Sequence, residues 1–123
     1  MQPRTSRSLE QRVIVIFLVV TAVLAGCSRP SVVTIVNRSS VTLSNVVISG
    51  TGFSEHVGNL GVGAKHRLAV HPTGESGLGV AFDAAGKHFD AGRRDYFEDG
   101  GYRITAIVQT NFTVSVSVNA RGY

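Results

Sequence analysis

Residues 111–119 read NFTVSVSVN. Phe112, Val114, Val116 and Val118 alternate with Thr113, Ser115 and Ser117, and a period of two puts the apolar set on one face of a strand and the hydroxyls on the other. The same signature extends backwards through the chain. In YRITAIVQ (102–109), Tyr102, Ile104, Ala106 and Val108 share a face, and in GLGVAFD (77–83) Leu78, Val80 and Phe82 do so. HRLAVH (66–71) pairs Leu68 with Val70, while SVVTIVN (31–37) and VTLSNVVIS (41–49) are β-branched runs parted by the polar turn Arg38-Ser39-Ser40. Alternation fails at Ser44-Asn45, which predicts a β-bulge there. Glycine-rich breaks at 49–52, 61–63, 72–77, 84–86 and 99–101 leave room for seven or eight short strands and no helical window. The fold class this predicts is all-β, a single antiparallel sandwich or small barrel.

One local pattern favours the sandwich. Glu98-Asp99-Gly100-Gly101-Tyr102-Arg103-Ile104 resembles the tyrosine corner that opens strand F of immunoglobulin-like domains. The resemblance implies an immunoglobulin-like β-sandwich in which the Tyr102 hydroxyl bonds back to the backbone. It covers seven residues, with no cysteine pair and no tryptophan, so it speaks for an architecture and not a family. In the other reading Tyr102 is an ordinary aromatic at the edge of the core.

The amino end has a different character. Arg4, Arg7 and Arg12 lie in a polar stretch, followed by the apolar run Val13–Ala25, broken only by Thr21. A basic segment, an apolar segment and small residues in that order form a secretory leader, which is expected to be helical. The run is short for a permanent membrane span, which needs ~20 apolar residues.

Directly after it, Leu24-Ala25-Gly26-Cys27 contains the chain's single cysteine. These four residues resemble the lipobox of bacterial lipoproteins: Leu, small, small, Cys. The resemblance implies a diacylglyceryl thioether on Cys27, cleavage between Gly26 and Cys27, and acylation of the new amino end. The alternative is a free thiol beside a chance Leu-Ala-Gly. With the lipobox the organisation is a cleaved signal peptide over 1–26, a lipidated cysteine and short tether over 27–31, and a β-sandwich over 32–123. Two or three acyl chains hold a protein on a bilayer effectively permanently, where one chain binds only marginally. Ser28, and not an aspartate, follows Cys27, so the expected location is the cell envelope at the outer membrane. No more than Ser28, Arg29 and Pro30 separate Cys27 from the first β-branched run, a reach of roughly 15 Å.

Removing the leader takes away three basic residues and Glu10, leaving nine basic and seven acidic residues, net +2. That modest charge, without interleaved aromatics, speaks against nucleic acid as a partner. Lys65 with Arg67 and Arg93 with Arg94 read as guards on edge strands or as solvated faces. His56, His66, His71 and His88 have no metal-ligand spacing, and the odd separation of His66 and His71 sends them to opposite faces of a strand. Gly58, Gly61 and Gly63 do not form a dinucleotide loop, and no serine sits in a nucleophile elbow. Asp95, Glu98 and Asp99 beside Tyr96 and Phe97 read as an acidic loop or a cation-contact site. No catalytic residue, metal or cofactor is predicted.

The partners expected are the membrane, through the lipid on Cys27, and a protein of the envelope. The function read from these residues is a lipid-anchored lipoprotein whose small sandwich is a binding or assembly module, engaging partners through loops or by strand addition at an exposed edge. Two further classes fit the same chain: a small metal-dependent or hydrolytic envelope enzyme, and a purely structural envelope lipoprotein.

Overall fold

A computed structural model describes residues 29–120, so Gly26, Cys27 and the leader lie outside the described residues. Eight strands follow in order: β1 (Ser31–Asn37), β2 (Leu43–Gly50), β3 (Phe53–Leu60), β4 (Lys65–Val70), β5 (Ser76–Ala84), β6 (Lys87–Phe97), β7 (Tyr102–Val108) and β8 (Val114–Ala120). They form two four-stranded sheets, ordered β4-β1-β7-β8 and β3-β2-β5-β6. The described residues are all-β and their architecture is a sandwich, one of the two forms that the alternation predicts.

Between the sheets lies one core. Val33 and Ile35 from β1, Ile104 and Ala106 from β7, and Val114 from β8 meet Leu43, Val46 and Ile48 from β2 and Leu78, Val80 and Phe82 from β5, all buried. Each set comes from the inward half of an alternating strand, so the hydrophobic driving force and the pleat agree. Phe82, Phe89 and Phe112 stack at one end of the core, with ring centroids 5.3 Å apart for Phe82 and Phe89 and 4.9 Å for Phe89 and Phe112. Phe53 meets Phe97 edge-on at 6.2 Å near the other.

The predicted bulge falls where alternation breaks. Leu43 and Val46, three residues apart, both point inward, which a regular strand forbids; the register of β2 shifts across Ser44-Asn45, and Asn45 takes the left-handed conformation at φ 49°. Asparagine is among the few residues that tolerate it.

Three features depart from the sequence reading. One of the six pairings is parallel, with β1 beside β7 from Val32↔Arg103 to Asn37↔Val108, in an otherwise antiparallel pair of sheets. Strand alternation carries no information on direction, so only the path of the chain sets it. Strands β1 and β2 also lie in different sheets, whereas the first two strands of an immunoglobulin constant-type domain share one; the strand order is this chain's own. Thirdly, β3 and β6 have no clean alternation in sequence. β6 has register shifts between its Leu78- and Gly79-paired positions and those on either side, with Gly92 and Asp95 at positive φ (69° and 61°), which scrambles its period.

Candidate functional site

Beginning with the predicted residues, Tyr102 opens β7 half-buried against the core. Among the described residues its hydroxyl has no hydrogen bond. Its backbone N–H donates instead to the Ser31 hydroxyl (3.3 Å), which donates to the Glu98 carbonyl (2.6 Å). The link between strand start and preceding loop that a tyrosine corner supplies is thus made by a buried serine of β1.

The acidic loop does not converge. Tyr96 donates to the Glu98 carboxylate, Asp99 lies 3.3 Å from His71 Nδ1, and Asp95 sits in the β6 bulge. The Glu98 bond, aided by burial, pushes the Tyr96 phenol up to about 12, because ionising it would break the bond and set two anions together. A second small cluster joins Asn45 Nδ2 to Asp83 Oδ2 (2.8 Å) and His88 Nδ1 to Asp83 Oδ1 (2.6 Å). Those two bonds, Asn45 first, hold the Asp83 carboxyl below its ordinary 3.8. Among the described residues no three His, Cys, Asp or Glu side chains come together as a metal centre would require.

A buried polar knot went unread in the sequence. Asn37, fully buried at the end of β1, donates from Nδ2 to the carbonyls of Val41 (2.9 Å), Leu60 (2.9 Å) and Gly61 (3.1 Å), while its Oδ1 accepts from the Ser39 N–H (2.9 Å) and hydroxyl (2.7 Å). It ties β1, the start of β2 and the β3–β4 turn together. Asn111 repeats the lower half of this pattern in the β7–β8 loop, accepting from the Thr113 N–H (3.2 Å) and hydroxyl (2.6 Å). The shared signal is Asn-x-Ser/Thr, which here is the spelling of an Asx turn closed by a hydroxyl.

The surfaces most relevant to binding are the four strand edges. β4 and β3 flank one side of the sandwich, β6 and β8 the other. Three are defended in recognised ways. β4 carries Lys65, His66 and Arg67; β3 carries Glu55 and His56 with Gly58 at φ 87°; β6 carries Arg93 and Arg94 with Lys87, His88, Asp90 and Asp95, and has two bulges. Both basic pairs singled out in the sequence lie on edge strands. β8 has none of these defences: VSVSVNA is regular, uncharged and without proline or glycine.

The phase of its ladder shows which groups are open. Gln109 N–H donates to the Thr113 carbonyl at 2.9 Å, continuing the register that pairs Val108 with Val114, and hydrogen-bonded pairs recur at every second position. Ser115, Ser117 and Asn119 therefore turn their backbone groups to β7. Val114, Val116 and Val118 turn theirs outward.

No family model matches the chain, and no curated protein shows significant similarity to it. Among solved structures, the NMR structure of a protein from Eubacterium rectale is similar, with a TM-score of 0.54 over 75% of this chain and 90% of that one, at 15% sequence identity. A likeness at that identity concerns the fold alone.

Proposed function

We propose that the chain is a lipid-anchored lipoprotein of the cell envelope, held through Cys27 at the outer membrane, whose sandwich is an assembly module that accepts an extended partner segment along β8. The observation that carries the module reading is the undefended edge. Outward N–H and C=O groups on Val114, Val116 and Val118 form a template for one more strand, and their inward side chains are already packed on the core. The support for the anchor is the sequence pattern alone, a basic then apolar segment followed by Leu24-Ala25-Gly26-Cys27.

Proline substitution separates recognition from folding. Val116→Pro removes an N–H that faces outward, so strand addition is lost while stability falls by about 1 kcal/mol. Ser117→Pro removes an N–H bonded to β7 and costs ~3 kcal/mol. Photo-crosslinking from position 115 in intact cells should yield an adduct that Val116→Pro abolishes. An adduct that survives Val116→Pro refutes the edge. Intact mass of the membrane-extracted protein addresses the anchor: the wild type should begin at an acylated Cys27, and Cys27→Ala should remain uncleaved.

A further inference from the structure

We propose that the outer face of the β4-β1-β7-β8 sheet is a docking surface for the anionic phospholipid headgroups of the bilayer that holds Cys27; this rests on the lipoprotein reading above.

Register defines the face. Val33, Ile35, Ile104 and Ala106 point into the core, so the intervening residues point out: Val32 beside Ala69 and Arg103, Thr34 beside Arg67 and Thr105, Val36 beside Lys65 and Ile107. A shallow groove lies on it, lined by Val32, Thr34, Ile104 and Thr105 together with Arg67 and Arg103. Two forked donors and two hydroxyls around a half-buried β-branched floor suit a phosphodiester above aliphatic surface.

Carboxylates are segregated between the sheets, although each sheet carries three Lys or Arg residues, the opposite one Lys87, Arg93 and Arg94. The strands β1, β4, β7 and β8 carry Lys65, Arg67 and Arg103 and no carboxylate. Glu55, Asp83, Asp90 and Asp95 are all on strands of the opposite sheet, and Glu75, Glu98 and Asp99 are in loops. The two ion pairs among the described residues use His71 and His88, so none of the three cations of this face is neutralised by one of them.

The tether supplies the orientation. β1 starts at Ser31, leaving three residues between Cys27 and the sheet, a reach of roughly 15 Å. Arg103 lies opposite Val32, one position from that start, and exposed Arg29 precedes it. The cations therefore begin where the anchor ends, and each adds attraction to an anionic leaflet that decays within a Debye length. An acidic protein would satisfy the same charges, but it would have to compete with a surface fixed beside them by covalent attachment.

The test uses the full lipidated chain in vesicles. With Cys27 consumed as a thioether, Thr105→Cys introduces the one free thiol, and its labelling by a water-soluble maleimide reports exposure of the groove. Labelling should be roughly tenfold slower in phosphatidylcholine vesicles containing about one third phosphatidylglycerol than in phosphatidylcholine alone, and high salt should remove the difference. Ser54→Cys, exposed on the opposite sheet, should label equally in both. Adding R67E and R103E to Thr105→Cys should restore the faster rate. Equal rates for Thr105→Cys in the two vesicles, with Cys27 shown by mass to be acylated, overturn the docking face and leave the lipoprotein reading intact. An unmodified Cys27 in the mass spectrum overturns the lipoprotein reading, and the docking proposal with it.

Discussion

Asn37 shows how much one side chain can decide. Its amide has two hydrogens for three backbone carbonyls and its oxygen accepts twice, so one side chain makes five of the bonds at this crossing of three elements. Asn37→Ala takes one donor from each of those carbonyls, although Val41 keeps the Ser39 hydroxyl and Gly61 the Ala64 N–H, and should cost about 2–3 kcal/mol in urea unfolding. Asn37→Asp, which aims oxygen at oxygen, should cost more. Asn111→Ala, the same motif on the surface, should cost about 1 kcal/mol or less. Tyr96 makes a pH-dependent prediction. Its folded pKa, about 12, lies above the ordinary 10, so the stability it contributes is complete below pH 10 and is lost as pH rises through the folded value. The stability difference between wild type and Tyr96→Phe should be flat to pH 10 and then vanish, and the absorbance change that Tyr96→Phe removes from an alkaline titration should centre on about 12. These roles were half legible: Asn-x-Ser/Thr marks an Asx turn in sequence, but burial converts one of two identical motifs into a structural knot, and burial is a property of the fold.

At the scale of the element, strands that alternate were read almost to the residue, and strands that bulge were not. β1 runs over the predicted 31–37, while β8 starts at Val114 because Asn111-Phe112-Thr113 closes the loop, with Phe112 at φ 63° and its ring on Phe89. β6 escaped because its two bulges interrupt the alternation between half-buried Phe89 and Ala91 and buried Phe97, leaving an exposed stretch from Gly92 to Tyr96. The β5–β6 turn offers a direct test of turn chemistry. Ala85 and Gly86, both at positive φ (51° and 74°), link Ala84 to its partner Lys87 as a two-residue type I′ turn. Alanine is a poor occupant of that first position, and Ala85→Asn should stabilise by roughly 0.5–1 kcal/mol, seen as a higher urea midpoint at unchanged slope.

For the molecule as a whole, one cysteine means no internal disulfide, so the core between the sheets must supply the stability. Phe82 is fully buried and central to the aromatic stack. Phe82→Ala should cost ~3–5 kcal/mol, a large share of the ~5–15 kcal/mol typical of a domain, and should unfold much of the population in mild urea. The sequence by itself determined the class, the inward residues of four strands and the bulge in β2, because side-chain alternation is a local consequence of the pleat. The proposed leader and lipobox rest on equally local patterns in the sequence. Tertiary structure alone decided that β1 runs parallel to β7, that β8 is an edge, and that Lys65, Arg67 and Arg103 share a sheet whose four strands carry no carboxylate. Neighbours in a sheet are set by which strands can bury their apolar faces against the same core, a condition on the whole chain that no segment of it carries.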